Sequence, residues 1–180
     1  IISSNLHSVL NSLYAQKVLG GKRSLMQWAE QLSQSENKKL REKIRQYALK
    51  NGMIEIIENT GTNISVQVFD LEKISWEDIP IDLGGKKSWK ENGVPIIVVM
   101  DYAFGEQAFE TMDELLKPLV AEEVKIPLDI CSVNIMGKAG ILMGDKGDLM
   151  IPTAHIFEGT ADNYVTGRPL NTSHFEGEGL

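Results

Sequence analysis

The run Val94-Pro95-Ile96-Ile97-Val98-Val99-Met100 is apolar at every position and stops at Asp101. A strand with one wet face alternates apolar and polar residues. One that does not alternate is covered on both faces, as in a parallel sheet flanked by helices. Downstream, "GEQAFETMDELLKP" has helical spacing, with Ala108, Met112 and Leu115/Leu116 on one side and Pro118 beyond the end. "LDICSVNIM" and "DLMIPTAHIF" read as two further strands, and strand, helix, strand is the order of a βαβ unit. The expectation is that Val94–Asp101, Asp129–Met136 and Asp148–Phe157 are neighbouring strands of one mixed sheet, with the Glu106–Lys117 helix packed on it.

The first fifty residues read as helical. Leu6, Val9, Leu10, Leu13 and Tyr14 share one helical face, and Gly20-Gly21 ends that segment. A second helix starts near Ser24 with Leu25, Trp28, Ala29 and Leu32 on one face. Ser35 is the expected cap of a third, which carries Leu40, Ile44, Tyr47 and Ala48 and stops at Asn51-Gly52. Its other face holds Lys38, Lys39, Arg41, Lys43 and Arg45, read as a solvated face. "MIEIIENTGTNISVQVFDL" reads as a hairpin turning at Asn59–Gly61, and Ile74–Asn92 as a loop. The fold class expected is therefore α/β: a mixed sheet with flanking helices, preceded by a small helical region and a β-hairpin. The divisions are residues 1–52, 53–93 and 94–180.

Charge narrows the partners. A net charge of −7 argues against general affinity for nucleic acid or anionic membrane, both polyanions. No apolar run approaches the ~20 residues that span a bilayer. The opening "IISSNLHSVLNSLYAQ" lacks the basic start and apolar block of a secretory signal. A single cysteine, Cys131, forms no internal disulfide, so a reducing, cytoplasmic setting is expected, with the thiol packed in its apolar stretch. His155 and His174 lack metal-ligand spacing, and no metal or cofactor is implied.

Two strand ends carry glycine. In "VVMDYAFGEQAF", Gly105 sits just before the helix, where a glycine lets backbone N–H groups approach an anion; a tight turn without a ligand explains it equally well, and Asp101 and Glu106 oppose an anion. In "IMGKAGIL", Gly137 and Gly140 flank Lys138 and Ala139 at a strand's carboxyl end, where α/β sheets bind ligands. Small residues there admit a flat ring or sugar, and Lys138 is a point charge suited to phosphate, or a lysine that simply reaches water. Beyond the next strand, "HIFEGTADNY" supplies Glu158, Thr160, Asp162, Asn163 and Tyr164.

Together, "VVMDYAFGEQAFETMDELLKP" and "NIMGKAGILMGDKGDLMIPTAHIFEGTADNYV" resemble the nucleoside phosphorylase superfamily, and most closely its AMP nucleosidase branch. The resemblance covers roughly Val94 to Tyr164. Gly105, Gly137, Gly140, Gly147 and Asp148 fill the superfamily's glycine-turn, Gly-x-x-Gly and Gly-Asp places. The nucleosidase branch has a Gly-Lys-Cys-Gly type segment and a Glu-Gly-Thr-x-Asp-x-Tyr run, matched here by Gly137–Gly140 and Glu158–Tyr164. It implies a phosphorylase-like sheet and cleavage of the N-glycosidic bond of a purine nucleotide or nucleoside. Gly105, Gly137, Lys138, Ala139, Gly140, Glu158, Thr160 and Asp162 would contact the substrate. Phosphorylases commonly carry an arginine and a serine where this chain has Ile135 and Lys138, which points away from phosphorolysis and towards a nucleotide's own phosphate. The family's Met-Glu-Gly-Ala-like segment and catalytic Asp/Asn do not occur in these residues, so the catalytic acid stays unassigned, the chain is expected to hold part of a site, and a non-catalytic nucleotide-binding or structural protein is the alternative. Half such a sheet leaves apolar area uncovered, so a homo-oligomer, or loss of order after about Tyr164, is expected.

Overall fold

The computed structural model describes residues 1–57, 64–75, 77, 79, 93–121, 124–145, 148–152, 154–156, 159 and 163–164. They form two compact units, Ile1–Gly137 and Lys138–Leu180. The first is mixed α/β. Its elements are β1 (Ile2–Ser3), α1 (Leu6–Leu19), α2 (Leu25–Ser33), α3 (Lys38–Lys50), β2 (Met53–Ile56), β3 (Val66–Asp70), β4 (Ile96–Met100), α4 (Gly105–Leu116), β5 (Leu119–Ala121), β6 (Val124–Ile126) and β7 (Asn134–Ile135). The second holds β8 (His155–Ile156) paired with β9 (Asn163–Tyr164) as an antiparallel ribbon.

The main sheet has the order β2-β3-β4-β1-β7. The expected hairpin is present: β2 pairs antiparallel with β3, which pairs antiparallel with β4, while its turn lies outside the described residues. β1 pairs in parallel with both β4 and β7. The expectation of three neighbouring downstream strands is thus corrected twice. β4 and β7 share a sheet but β1 lies between them, and β7 forms a ladder no longer than the two residues of its partner. The third run reduces to β8 in another sheet, because Pro152 has no N–H to donate to a ladder.

The helical region forms as its periodicity predicts. Asn5 Oδ1 accepts from the backbone N–H of His7 and Ser8 to start α1, and Gly20, at φ 73°, closes it. Ser24 and Gln27 form a reciprocal capping box at α2. Ser35 does not cap α3; it opens a short 3-10 turn, and α3 begins at Lys38 without a side-chain cap. Ala29 is exposed rather than on the buried stripe.

The helices cover one face of the sheet. Cross-strand register puts Met53, Phe69 and Ile97 in one row and Glu55, Gln67, Val99 and Ile2 in the next. Met53, Phe69 and Val99 join Leu10, Leu13, Tyr14, Trp28, Leu32, Ile44 and Ala48 in the core. Tyr14 donates to Asn51 O at 2.9 Å, and burial, with Tyr47 and Asp70 nearby, pushes its phenol up to about 12. The opposite face carries Ile54, Ile56, Val66, Val68, Ile96, Val98, Met100 and Ile135. Met100 is buried, but Ile54 is 61% and Ile135 75% exposed. The helix expected to pack on the sheet, α4, has no buried residue, which corrects that expectation. The β5–β6 hairpin, unmarked in the sequence reading, puts Leu119, Ala121, Val124 and Ile126 on one face, all exposed.

Two arginines read as solvated are structural. Arg41 Nη1 donates to Leu32 O at 2.6 Å and Gln34 O at 2.8 Å, satisfying the carbonyl end of α2. Arg45 grips Glu55 through Nε (2.9 Å to Oε2) and Nη2, and Gln67 Nε2 donates to Glu55 Oε1 at 3.2 Å. The Arg45 bond holds the Glu55 carboxyl below its ordinary value. A carboxylate whose folded pKa is depressed stabilises fully above its unfolded value, near pH 4.5, and loses that contribution as pH falls through the folded value. Glu55→Ala should therefore cost about 1–3 kcal/mol at pH 7, by freeing a half-buried guanidinium and Gln67, and much less at pH 3.5. Urea unfolding of both proteins at the two pH values measures this; equal losses at both would mean the carboxylate charge is irrelevant.

Candidate functional site

β1, β4 and β7 run in parallel, so their carboxyl ends open on the same edge of the first unit. Connections leave these strands in opposite directions. From β1 the chain passes through α1, α2 and α3 to β2, beyond β4 and β3; from β4 it passes through α4 to β7, on the other side of β1. Parallel crossovers are right-handed, so connections running in opposite directions along a sheet belong on opposite faces. Neighbouring strands whose connections part in this way leave a crevice outside their carboxyl ends, where open α/β sheets bind ligands.

The β1–α1 turn lies at this edge. Ser4 is fully buried and donates its N–H to Met100 O at 3.0 Å, and Asn5 caps α1 as described. The β4–α4 turn lies at the same edge. Asp101 donates its N–H to Ser65 O at 3.0 Å, and its Oδ1 accepts from Tyr102 N at 2.8 Å. Gly105 opens α4 at φ 56°, a conformation costly for a residue with a Cβ, and the space where that Cβ would stand is empty. On β7, Met136 donates its N–H to Ser3 O at 2.9 Å, and Gly137 follows, again with open space at its missing Cβ.

The structure therefore brings Gly105 and Gly137 to one edge of one sheet, on strands that flank β1. Lys138, Ala139 and Gly140 begin the second unit and are exposed, and Lys138 has no hydrogen bond or ion pair with the described residues. Further along, Asp148 organises the glycine-rich turn: its Oδ2 accepts from Asp145 N at 2.7 Å. Gly144 sits at φ 109°, and a Cβ there would lie 2.8 Å from Asp148 Oδ2. Glu158, Thr160, Asp162, Gly147 and His174 lie outside the described residues. Cys131, expected to be packed, is exposed, because β7 is an edge strand whose approach from residue 131 onward is uncovered. Ser4 and Asn5, missed in the sequence, had one available signal: the β-branched pair Ile1-Ile2, then two serines, then a helix-capping asparagine.

A shallow polar recess of about 390 Å³ lies along α2, lined by Lys22, Arg23, Gln27, Glu30, Gln31 and Gln34. Its arginine is already engaged, donating to Gln31 Oε1 at 2.7 Å and lying 5.1 Å above the Trp28 ring. Among the described residues no group of three or more His, Cys, Asp and Glu could hold a metal ion, and no helix is long and apolar enough to cross a membrane.

The described residues define a mixed α/β protein with glycine turns at the carboxyl ends of two of its parallel strands. A family model matches residues 24–178, and the chain belongs to that family, a family of unknown function (DUF6909). No curated protein and no solved structure matches it.

The crevice wall yields a stability prediction. Asn5 Oδ1 also accepts from Ser8 Oγ at 3.0 Å, so Asn5→Ala removes three bonds at the turn. The loss should be about 1 kcal/mol, up to ~2, seen as a lower denaturation midpoint at unchanged slope. An unchanged midpoint would show that this turn is not held by its cap.

Proposed function

We propose that the chain binds a purine nucleotide or nucleoside at the carboxyl end of β4, β1 and β7, and that it belongs with enzymes that hydrolyse the N-glycosidic bond in the manner of AMP nucleosidases. The observation that carries this reading is the convergence of two glycine turns, at Gly105 and Gly137, on the edge where the crossovers part. The glycines leave the backbone open to a flat base or sugar. The resemblance to AMP nucleosidases makes Lys138 the candidate cation for a nucleotide's 5′-phosphate. Glycosidic hydrolysis develops oxocarbenium character on the sugar while an acid protonates the departing base. The chain's part in that chemistry, on this reading, is to hold the base and phosphate. Non-catalytic nucleotide binding is the second reading, favoured by Glu106, exposed in the first turn of α4, where it opposes an anion.

Calorimetric titration with AMP and adenosine tests the site. Lys138→Ala should weaken AMP binding by about 1.5–3 kcal/mol, roughly 10- to 150-fold, and leave adenosine nearly unchanged. Equal losses for both would make Lys138 structural, and no binding of either ligand to the wild type would overturn the reading. Chromatographic detection of adenine and ribose 5-phosphate separates the enzyme from the binder.

The reading includes self-association in a cytoplasmic setting. The second face of the sheet (Ile54, Ile56, Ile96, Ile135) and the β5–β6 hairpin leave apolar area exposed, and contiguous patches beyond a few hundred Å² mark interaction surfaces. Light scattering should return the mass of at least two chains; a monomer would contradict it.

A further inference from the structure

The β4–α4 turn carries two aromatic rings at the carboxyl end of β4. Tyr102 and Phe104 lie two residues apart, with ring centroids 6.4 Å apart and planes inclined by 34°. That separation is within the range of favourable aromatic pairs. The inner ring is half-buried and its turn is fixed, since Asp101 binds both Ser65 O and Tyr102 N. The outer ring, Phe104, is 76% exposed.

Two features of Phe104 work against stability. Burying a phenylalanine is normally favourable, so exposing one at a turn forgoes that gain. Phe104 also occupies the N-cap of α4, at φ −131° and ψ 146°, where Ser, Thr, Asp or Asn would bond the helix's first N–H groups, and no side-chain cap is made. Beside it Gly105 has no Cβ and open space around it, so nothing from that residue crowds the outer face of the ring. A ring exposed against its own preference, backed by a second ring and set at the carboxyl end of a parallel strand, has the form of a stacking platform.

We propose that Tyr102 and Phe104 form that platform and that it takes the purine base of the ligand, Phe104 stacking on the base and Tyr102 supporting Phe104 from behind. This rests on the nucleotide reading above and deepens it, assigning the base to the β4–α4 turn. Stacking reads a flat π face, so the platform favours the large purine ring and contributes nothing to the sugar or phosphate.

The test is calorimetric titration of wild type, Phe104→Ala and Phe104→Trp with AMP, adenine and ribose 5-phosphate. Phe104→Ala should lose roughly 5- to 150-fold in affinity for AMP and adenine, the loss of one stacked base, and less than about twofold for ribose 5-phosphate. Phe104→Trp should keep AMP affinity within about threefold, because indole also stacks. An AMP loss under about twofold in Phe104→Ala, or an equal loss for ribose 5-phosphate, overturns the platform while leaving the nucleotide site standing. A wild type that binds neither AMP nor adenosine rejects the nucleotide reading itself, and the platform with it, before any variant is measured. Light scattering on the same samples should give one mass for all three proteins; a lower mass for Phe104→Ala would assign the ring to a subunit contact and overturn the proposal.

Discussion

The parallel half of the sheet depends on two residues. Ile2 and Ser3 form β1, and through it β4 and β7 belong to one sheet: Ile2 sits opposite Val99 on one side and Asn134 on the other, Ser3 opposite Met100 and Ile135. The ladder is extended by Ser4 N–H to Met100 O and Met136 N–H to Ser3 O. A strand this short contributes few hydrogen bonds, each worth about 1 kcal/mol net. Its position matters more than its strength. It separates β4 from β7 and sends the chain out towards β2. Without β1 the sheet would be a meander of β2, β3 and β4 with no switch point.

The other half is held by ordinary core packing, with one polar exception. Phe69, Val99, Ile44, Leu10 and Ala48 exclude water between helices and sheet. Within that face lies Glu55, pointing inward from the edge strand β2 and neutralised by Arg45 of α3. A buried ion pair adds little net stability, but an unpaired carboxylate there would be costly, so the pair fixes how α3 sits over β2. An inward charge on an edge strand also discourages a further strand from pairing with it. The uncovered apolar area therefore lies on the face of the sheet rather than at its β2 edge.

Much of this was legible in the chain. The three N-terminal helices, the β2–β3 hairpin, β4 and α4 follow from spacing, caps and continuous apolar runs, because local periodicity decides them. The remainder was not local. Ile1-Ile2-Ser3 looks like the start of a helix until a partner ladder is supplied from nearly a hundred residues away. Arg41 and Arg45 read as solvated because the carbonyls and carboxylate they bind lie on other elements. The apolar stretches after Asp129 have the pattern of long strands, whereas ladder length is set by the partner, and β7 and β8 are two residues each. Of the candidate site, Gly105 and Gly137 were legible as strand-end glycines. Ser4, Asn5, Tyr102 and Phe104 were not, since only the sheet order puts them at one crevice.

The proposed nucleotide site lies at the strand ends where β1 holds β4 and β7 together. Backbone amide spectra of the labelled protein, recorded during titration with AMP, test that location directly. The account predicts shifts that saturate together at Ser4 to His7, Asp101 to Gly105 and Gly137, with the amides of α2 unmoved. Shifts confined to the Lys22–Gln34 recess, or no saturating shift at any of these strand ends, would contradict it.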